Sequence, residues 1–169
     1  MKTRLLFAGM LLVASLALGG VHAVAANPGK PVSAKKFDAL ANAALAAMKK
    51  RAAELKVTGV AVVSYAEGDS VQGWNSRMAV VGKMKDAPTD TSKGNNLIGI
   101  AYAKSAEMAD TLKDSGTAGR PPMTGEFGWQ GGVTSHARNG NIIVSFSGGK
   151  SEDDVEVSKA GLAVLKAGL

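Results

Sequence analysis

The sequence has no cysteine, and its 169 residues include only two histidines, two tryptophans and two tyrosines. Without cysteine, a disulfide framework, a thiolate metal site and a lipid anchor on cysteine are all excluded. After the first two dozen residues no apolar run reaches membrane-spanning length. Charge of one sign is not in great excess: setting aside Lys2 and Arg4 leaves 18 basic residues against 14 acidic ones. No cluster of Lys and Arg alternates with aromatics, as a nucleic-acid surface requires. There is no Walker pattern, no Rossmann fingerprint, no HExxH and no nucleophile elbow. No repeat of solenoid length occurs.

What is present begins with a leader. Lys2 and Arg4 form a short basic start, Leu5 to Leu18 is almost wholly apolar, and small residues follow. This pattern predicts a secretory signal peptide over residues 1–25, because the apolar core is too short to span a bilayer comfortably. The protein is then expected to be periplasmic or secreted, with no membrane insertion after cleavage. Residues 26–32, with two prolines and a glycine, read as a flexible leader. Residues 33–169 are the size of a single domain, long enough for a core that needs no disulfides.

Ser33 is a candidate N-cap, and Phe37, Leu40, Ala41, Ala44, Leu45, Met48, Ala52 and Leu55 recur at helical intervals. Two β-like runs, Val57–Tyr65 and Val71–Met78, flank the turn residues Glu67-Gly68-Asp69 and predict a hairpin. Residues 82–96 read as a loop. A second helix presents Ile98, Ala101, Tyr102, Ser105, Met108, Ala109 and Leu112 on one face. After an irregular, glycine- and proline-rich stretch, Val133–Arg138 and Asn141–Ser147 read as strands. Asn139-Gly140 between them predicts a type I′ turn with positive φ at both residues. Gly148-Gly149 then leads into a last helix, where Ser151 and Asp154 approximate a capping box. The order α-β-β-α-β-β-α predicts an α+β fold: a central antiparallel sheet of two hairpins with helices packed on it.

Chemistry-bearing residues are few. His136 is the one histidine beyond the leader, which rules out a multi-histidine metal site. A single imidazole suffices as an axial ligand of haem iron, with Met, Tyr or water on the other side. The same residue also fits an ordinary surface position on a strand. Met84 and Met123 lie in loops, where polarizable apolar side chains suit a flat hydrophobic ligand. Trp74 and Trp129 are candidates to line such a pocket or simply to pack. Arg77 could meet a carboxylate or propionate bidentately. The double glycine before the last helix resembles a phosphate cradle, but Glu152, Asp153 and Asp154 would repel an anion there. No acid–base pair stands at readable spacing, so no catalytic residue is assigned.

Two stretches resemble the GlcG/HbpS-like family. VTGVAVVSYAEGDSVQGWNSRM is similar to its first hairpin, which ends in Arg-Met. GGVTSHARNGNIIVSFSGGKSEDDVEVSKAGLAVL is similar to its C-terminal half, through Gly131-Gly132-Val133, Asn139-Gly140, Ser147-Gly148, Glu152-Asp153-Asp154 and Ala160-Gly161. The chain departs from the family where Ala79-Val80-Val81 replaces the Asp-Gly-Ala that commonly follows Arg-Met. The resemblance implies an α+β domain that assembles into homo-oligomers, and exported members bind haem. The expected function is therefore an exported, non-enzymatic binder of a small ligand, haem or a similar flat anionic molecule, with a role as accessory to haem or redox sensing among the expectations. His136 is its candidate iron ligand, Met84 or Met123 a candidate second contact, and Arg77 a candidate carboxylate partner. The alternatives are an enzyme or enzyme accessory acting on a small hydroxy acid or another, redox-active small molecule, and a module whose main property is oligomerisation.

Overall fold

The computed structural model of the protein describes residues 31–169. The expected signal peptide and residues 26–30 of the leader lie outside the described residues. Val32, at the leader's end, packs on the core, and its amide donates to Glu67 Oε1 at 2.8 Å.

The described elements are α1 (Ala34–Leu55), β1 (Gly59–Glu67), β2 (Asn75–Val81), β3 (Lys85–Asp86), β4 (Asn95–Asn96), α2 (Leu97–Thr111), β5 (Gly132–Ala137), β6 (Gly140–Ser147) and α3 (Ser151–Gly168). One four-stranded sheet runs in the order β2-β1-β6-β5, antiparallel throughout, with the two hairpins joined through β1 and β6. The expected α+β architecture is present, with one addition: helices cover both faces. Ala61, Val63, Tyr65, Ile142, Val144 and Phe146 point to α1 and α3, whereas Val60 and Val62 point to Leu97, Ile100 and Ala101 of α2. Both central strands are therefore buried on both faces, which explains why they read as almost continuous apolar runs instead of alternating ones.

α1 forms as its spacing predicts. Ser33 caps it, accepting from the Lys36 amide at 3.3 Å, and Phe37, Ala41, Ala44, Leu45, Met48 and Ala52 are buried. α2 departs from expectation. Its buried set includes Lys104, Ser105 and Glu107, while Ile98, Tyr102 and Ala109 are half-buried. These polar residues are buried by other elements: Lys104 reaches Phe146 of β6 and Asp154 of α3, Ser105 bonds Ser145 of β6, and Glu107 accepts from the Gly116 amide at 2.7 Å.

Four local expectations are corrected. β2 begins at Asn75, not Val71. Tyr65 pairs with Asn75, and beyond it β1 turns its remaining hydrogen bonds to β6, so Val71–Trp74 have no ladder to join. The 82–96 loop contains a small ribbon, with Lys85 opposite Asn96 and Asp86 opposite Asn95. The β5–β6 register places Ala137 opposite Gly140, so the turn residues are Arg138 and Asn139, and neither Asn139 nor Gly140 has positive φ. Gly140 is required for closeness instead: a Cβ there would lie 2.0 Å from the Ala66 carbonyl oxygen. Finally, α3 is preceded by Lys150 without a side-chain cap, not by Ser151. Asp154 turns inward and accepts from the Gly149 amide at 2.8 Å.

Candidate functional site

At one end of the sheet β1 starts, β6 finishes, and α2 and α3 both present their N-termini. The two central strands approach closely there: a Cβ on Gly148 would lie 2.1 Å from the Thr58 carbonyl oxygen. Beside this contact is a cleft of about 150 Å³, bounded by Lys104, Trp129, Gln130, Ser147, Ser151 and Asp154 among others. Its inner wall is a buried ion pair. Lys104 Nζ donates to Asp154 Oδ2 and to the Phe146 carbonyl oxygen, each at 2.8 Å, with both charged side chains 3–4% exposed. Burial pushes the Lys104 ammonium down and the Asp154 carboxyl up, each partly offset by the partner's charge. The pair ties α2 to β6 and to the start of α3.

At the rim, Trp129 stacks on Phe127 with ring centroids 4.8 Å apart, and both rings are nearly half exposed. The β3–β4 ribbon forms another wall through Asp86 and Asn95. On its other side lies a cavity of about 300 Å³ that includes Met84, Pro88 and Ile98. Asp86 is held below the usual carboxylate range, first by the hydrogen bond from Lys83 and then by that from Asn95.

The four residues singled out from the sequence are not gathered here. Arg77 pairs with Asp38 of α1 at 2.7 Å. Arg77 stands opposite Val63, and Val63 opposite Val144, on the sheet face toward α1 and α3. His136 stands opposite Asn141, which neighbours Ile142 and so points to the other face. His136 and Arg77 are thus on opposite faces and on opposite edge strands, and within one chain they cannot grip the same flat ligand. Met84 follows β2 at the end where β1 starts, whereas the ladder of His136 runs through Asn141 to Ala66, near the end of β1. Seven residues of strand, about 23 Å, separate those levels, too far for two axial ligands of one iron. The cavity beside Met84 includes none of the other three.

Met123 belongs to a clasp on the β5 flank of α2. Arg120 forks onto Glu126 at 2.7 and 2.9 Å and reaches Asp110 at 2.7 Å, while Glu126 also accepts from the Met123 amide at 2.9 Å. These bonds, the guanidinium's first, lower the Glu126 carboxyl from 4.5 to about 2. A depressed carboxyl contributes stability that is full above its unfolded value and lost as pH falls through the folded one. The 120–126 loop should therefore stay closed at pH 5 and open as pH falls from about 4.5 to about 2. Proteolysis by an acid-active protease across that range checks this, and a Glu126→Gln loop should already be susceptible at pH 5.

Sequence reasoning missed Lys104 and, in its true role, Asp154. The available signal was a lone lysine inside the otherwise small and apolar stretch Ile100–Ser105. Trp129, weighed as a pocket wall, does line the cleft, and Trp74 lines a separate, open apolar cavity of about 440 Å³ with Ala106 and Ala109.

The backbone arrangement has known counterparts. It matches the crystal structure of the Klebsiella pneumoniae protein ORFY, of family model DUF336, with a TM-score of 0.53 over 76% of this chain and 89% of that one, at 17% identity. This chain has the DUF336 fold. The GlcG/HbpS-like resemblance read from the sequence agrees with that fold. The chain also matches the crystal structure of a PduOC–haem complex, with a TM-score of 0.50, 15% identity, and coverage of 80% of this chain and 95% of that chain. No protein-family model and no curated protein matches the sequence.

Proposed function

We propose that this protein is an exported, non-enzymatic binder of haem or a similarly flat anionic ligand, with His136 supplying the imidazole to the metal. The observation that carries this reading is the sharing of its fold with a haem complex, together with an exposed imidazole on an edge strand. Export rests on the basic start and apolar core of residues 1–25. The cleft beside Lys104, at about 150 Å³, is below the roughly 300–1,000 Å³ of ordinary ligand pockets. A macrocycle does not fit that cleft, and at His136 it would lie against the exposed edge strand. Met123 is the methionine that remains a second contact, since its loop is anchored to Asp110 near the C-terminal end of α2. That end lies beside β5, because Asp114 accepts from the Thr134 amide at 2.8 Å and Thr134 shares a face with His136. Arg77 and Met84 fall outside this site within one chain.

An enzyme acting on a small hydroxy acid would suit the cleft by size. Its ionisable groups are already committed, Lys104 to Asp154 and Asp86 to Lys83 and Asn95. No free acid–base pair faces that space among the described residues, so binding is favoured over catalysis.

Titration with haemin, followed by absorbance, tests the proposal. Saturable binding with a shifted Soret band is expected, and His136→Ala should weaken it at least tenfold, about 1.4 kcal/mol. Binding that survives in His136→Ala and is lost in Trp129→Ala would move the ligand to the Phe127–Trp129 stack. An unshifted Soret band would leave the haem reading without support.

A further inference from the structure

Glu107 is a buried carboxylate that the fold leaves half used. It is 2% exposed, and Oε1 accepts from the Gly116 amide at 2.7 Å. Among the described residues Oε2 accepts no hydrogen bond, and no Lys, Arg or His pairs with this carboxylate. A carboxylate removed from water is ordinarily paired with a cation or fully hydrogen-bonded. Yet no sealed side-chain oxygen lacks a partner among the described residues, so Oε2 is not enclosed by protein. It opens onto a cavity of about 300 Å³ that Glu107 lines, between α2 and the loop that follows it. The cations nearby do not answer it. Arg120, in the cavity wall, is committed to Glu126 and Asp110. Lys113 is exposed, with its Nζ 4.0 Å from the place a Gly119 Cβ would occupy. Glu107, Asp110 and Glu126 against Arg120 and Lys113 leave one negative charge in excess.

We propose that this cavity binds a small molecule carrying a primary ammonium group, with Glu107 Oε2 as its acceptor. The volume is at the small end of the roughly 300–1,000 Å³ of ordinary ligand pockets. Its charge excludes an anion, which would meet the uncompensated carboxylate. A divalent metal needs several oxygen or nitrogen ligands, and no three His, Asp or Glu converge among the described residues. A guanidinium prefers two parallel carboxylate oxygens, and the Gly116 amide already holds one of them. An ammonium is a point charge that one open oxygen satisfies. Ala118, Pro121 and Pro122 in the wall offer apolar surface to a short aliphatic body. The clasp between Arg120 and Glu126 holds that wall in place. Neither His136 nor Met123 lines the cavity, so the site does not depend on haem binding.

Titration of the protein with n-butylamine at neutral pH, followed by amide NMR spectra, tests this. The Gly116 amide, bonded to the same carboxylate, should shift saturably. n-Butanol has the same length without the charge and should bind about tenfold more weakly or less, since a hydrogen bond to a charged group is worth at least that factor. Glu107→Gln keeps an oxygen for the Gly116 amide and should weaken n-butylamine by about the same factor. Shifts that do not saturate, the same shifts from sodium chloride, equal binding of n-butanol, or binding that survives Glu107→Gln each overturn the proposal. If Glu107→Gln does not fold, the wild type decides through proton–proton contacts between the bound amine and Gly116 or Gly119. Their presence supports the site, and their absence at saturating amine overturns it.

Discussion

Lys104→Met should lower the folding stability by about 3–5 kcal/mol, the usual cost of breaking a buried ion pair from one side. The substitution preserves most of the side-chain volume and removes the charge. It leaves the Asp154 carboxylate, 4% exposed, without its cation and the Phe146 carbonyl without its donor. Urea unfolding of the two proteins measures the difference. Adding Asp154→Asn should recover a large part of the loss, because the neutral amide still offers an oxygen to the Gly149 amide and no longer buries a charge. The deficit should also depend on pH. Burial raises the Asp154 carboxyl above its ordinary value of 3.8, and loss of the ammonium raises it further. A carboxyl raised in the folded state is proton-bound there while the unfolded chain has already released its proton. Its penalty is absent below the unfolded value and grows as pH rises toward the folded one. The gap between Lys104→Met and wild type should therefore narrow near pH 4 and widen toward neutrality. A loss below about 1 kcal/mol at neutral pH would mean that water reaches the pair and stands in for the lysine.

Gly148→Ala is expected to cost roughly 3 kcal/mol, combining backbone strain and overpacking, each of order 1–3 kcal/mol. Gly148 has φ of 150°, and the added methyl would meet the Thr58 carbonyl oxygen at 2.1 Å and the Gly59 Cα at 2.6 Å. The opposing residue is as constrained, since a Cβ on Gly59 would lie 2.0 Å from the Ser147 carbonyl oxygen. The segment 58–59 and the segment 147–148 must then separate. That displacement pulls on Gly149, whose amide is held by Asp154, and so reaches the Lys104 pair. Gly148→Ala and Lys104→Met should consequently be less than additive in a double variant, as coupled neighbours are. Full additivity in the same urea experiment would show that the glycine contact and the ion pair act independently.

The legible features of the chain were those carried by local periodicity. The three helices, the four main strands, their order and the antiparallel sheet follow from the spacing of apolar residues, because that spacing decides which face can leave water. The Ser33 cap was equally local, since donor and acceptor are three residues apart. The candidate site was legible in part. Trp129 could be weighed as a wall, and His136 could be singled out for its chemistry, but a residue type says nothing about which side of a sheet it occupies.

The sequence by itself determined the absence of cysteine chemistry, the number and kind of the main elements and the composition of the core. Tertiary structure alone decided the rest. It put His136 and Arg77 on opposite faces, because registers two and three strands apart accumulate into a face assignment that no local pattern contains. It rotated the buried side of α2 to include Lys104 and Glu107, because β6 and the start of α3 cover the lysine and the Gly116 amide meets the glutamate. It gave Gly140 and Gly148 their meaning as points where two backbones touch, and it drew Asp154 away from a capping box to a lysine fifty positions earlier. Each of these is a contact between residues distant in the chain, and its energy depends on a partner whose position only the folded backbone supplies.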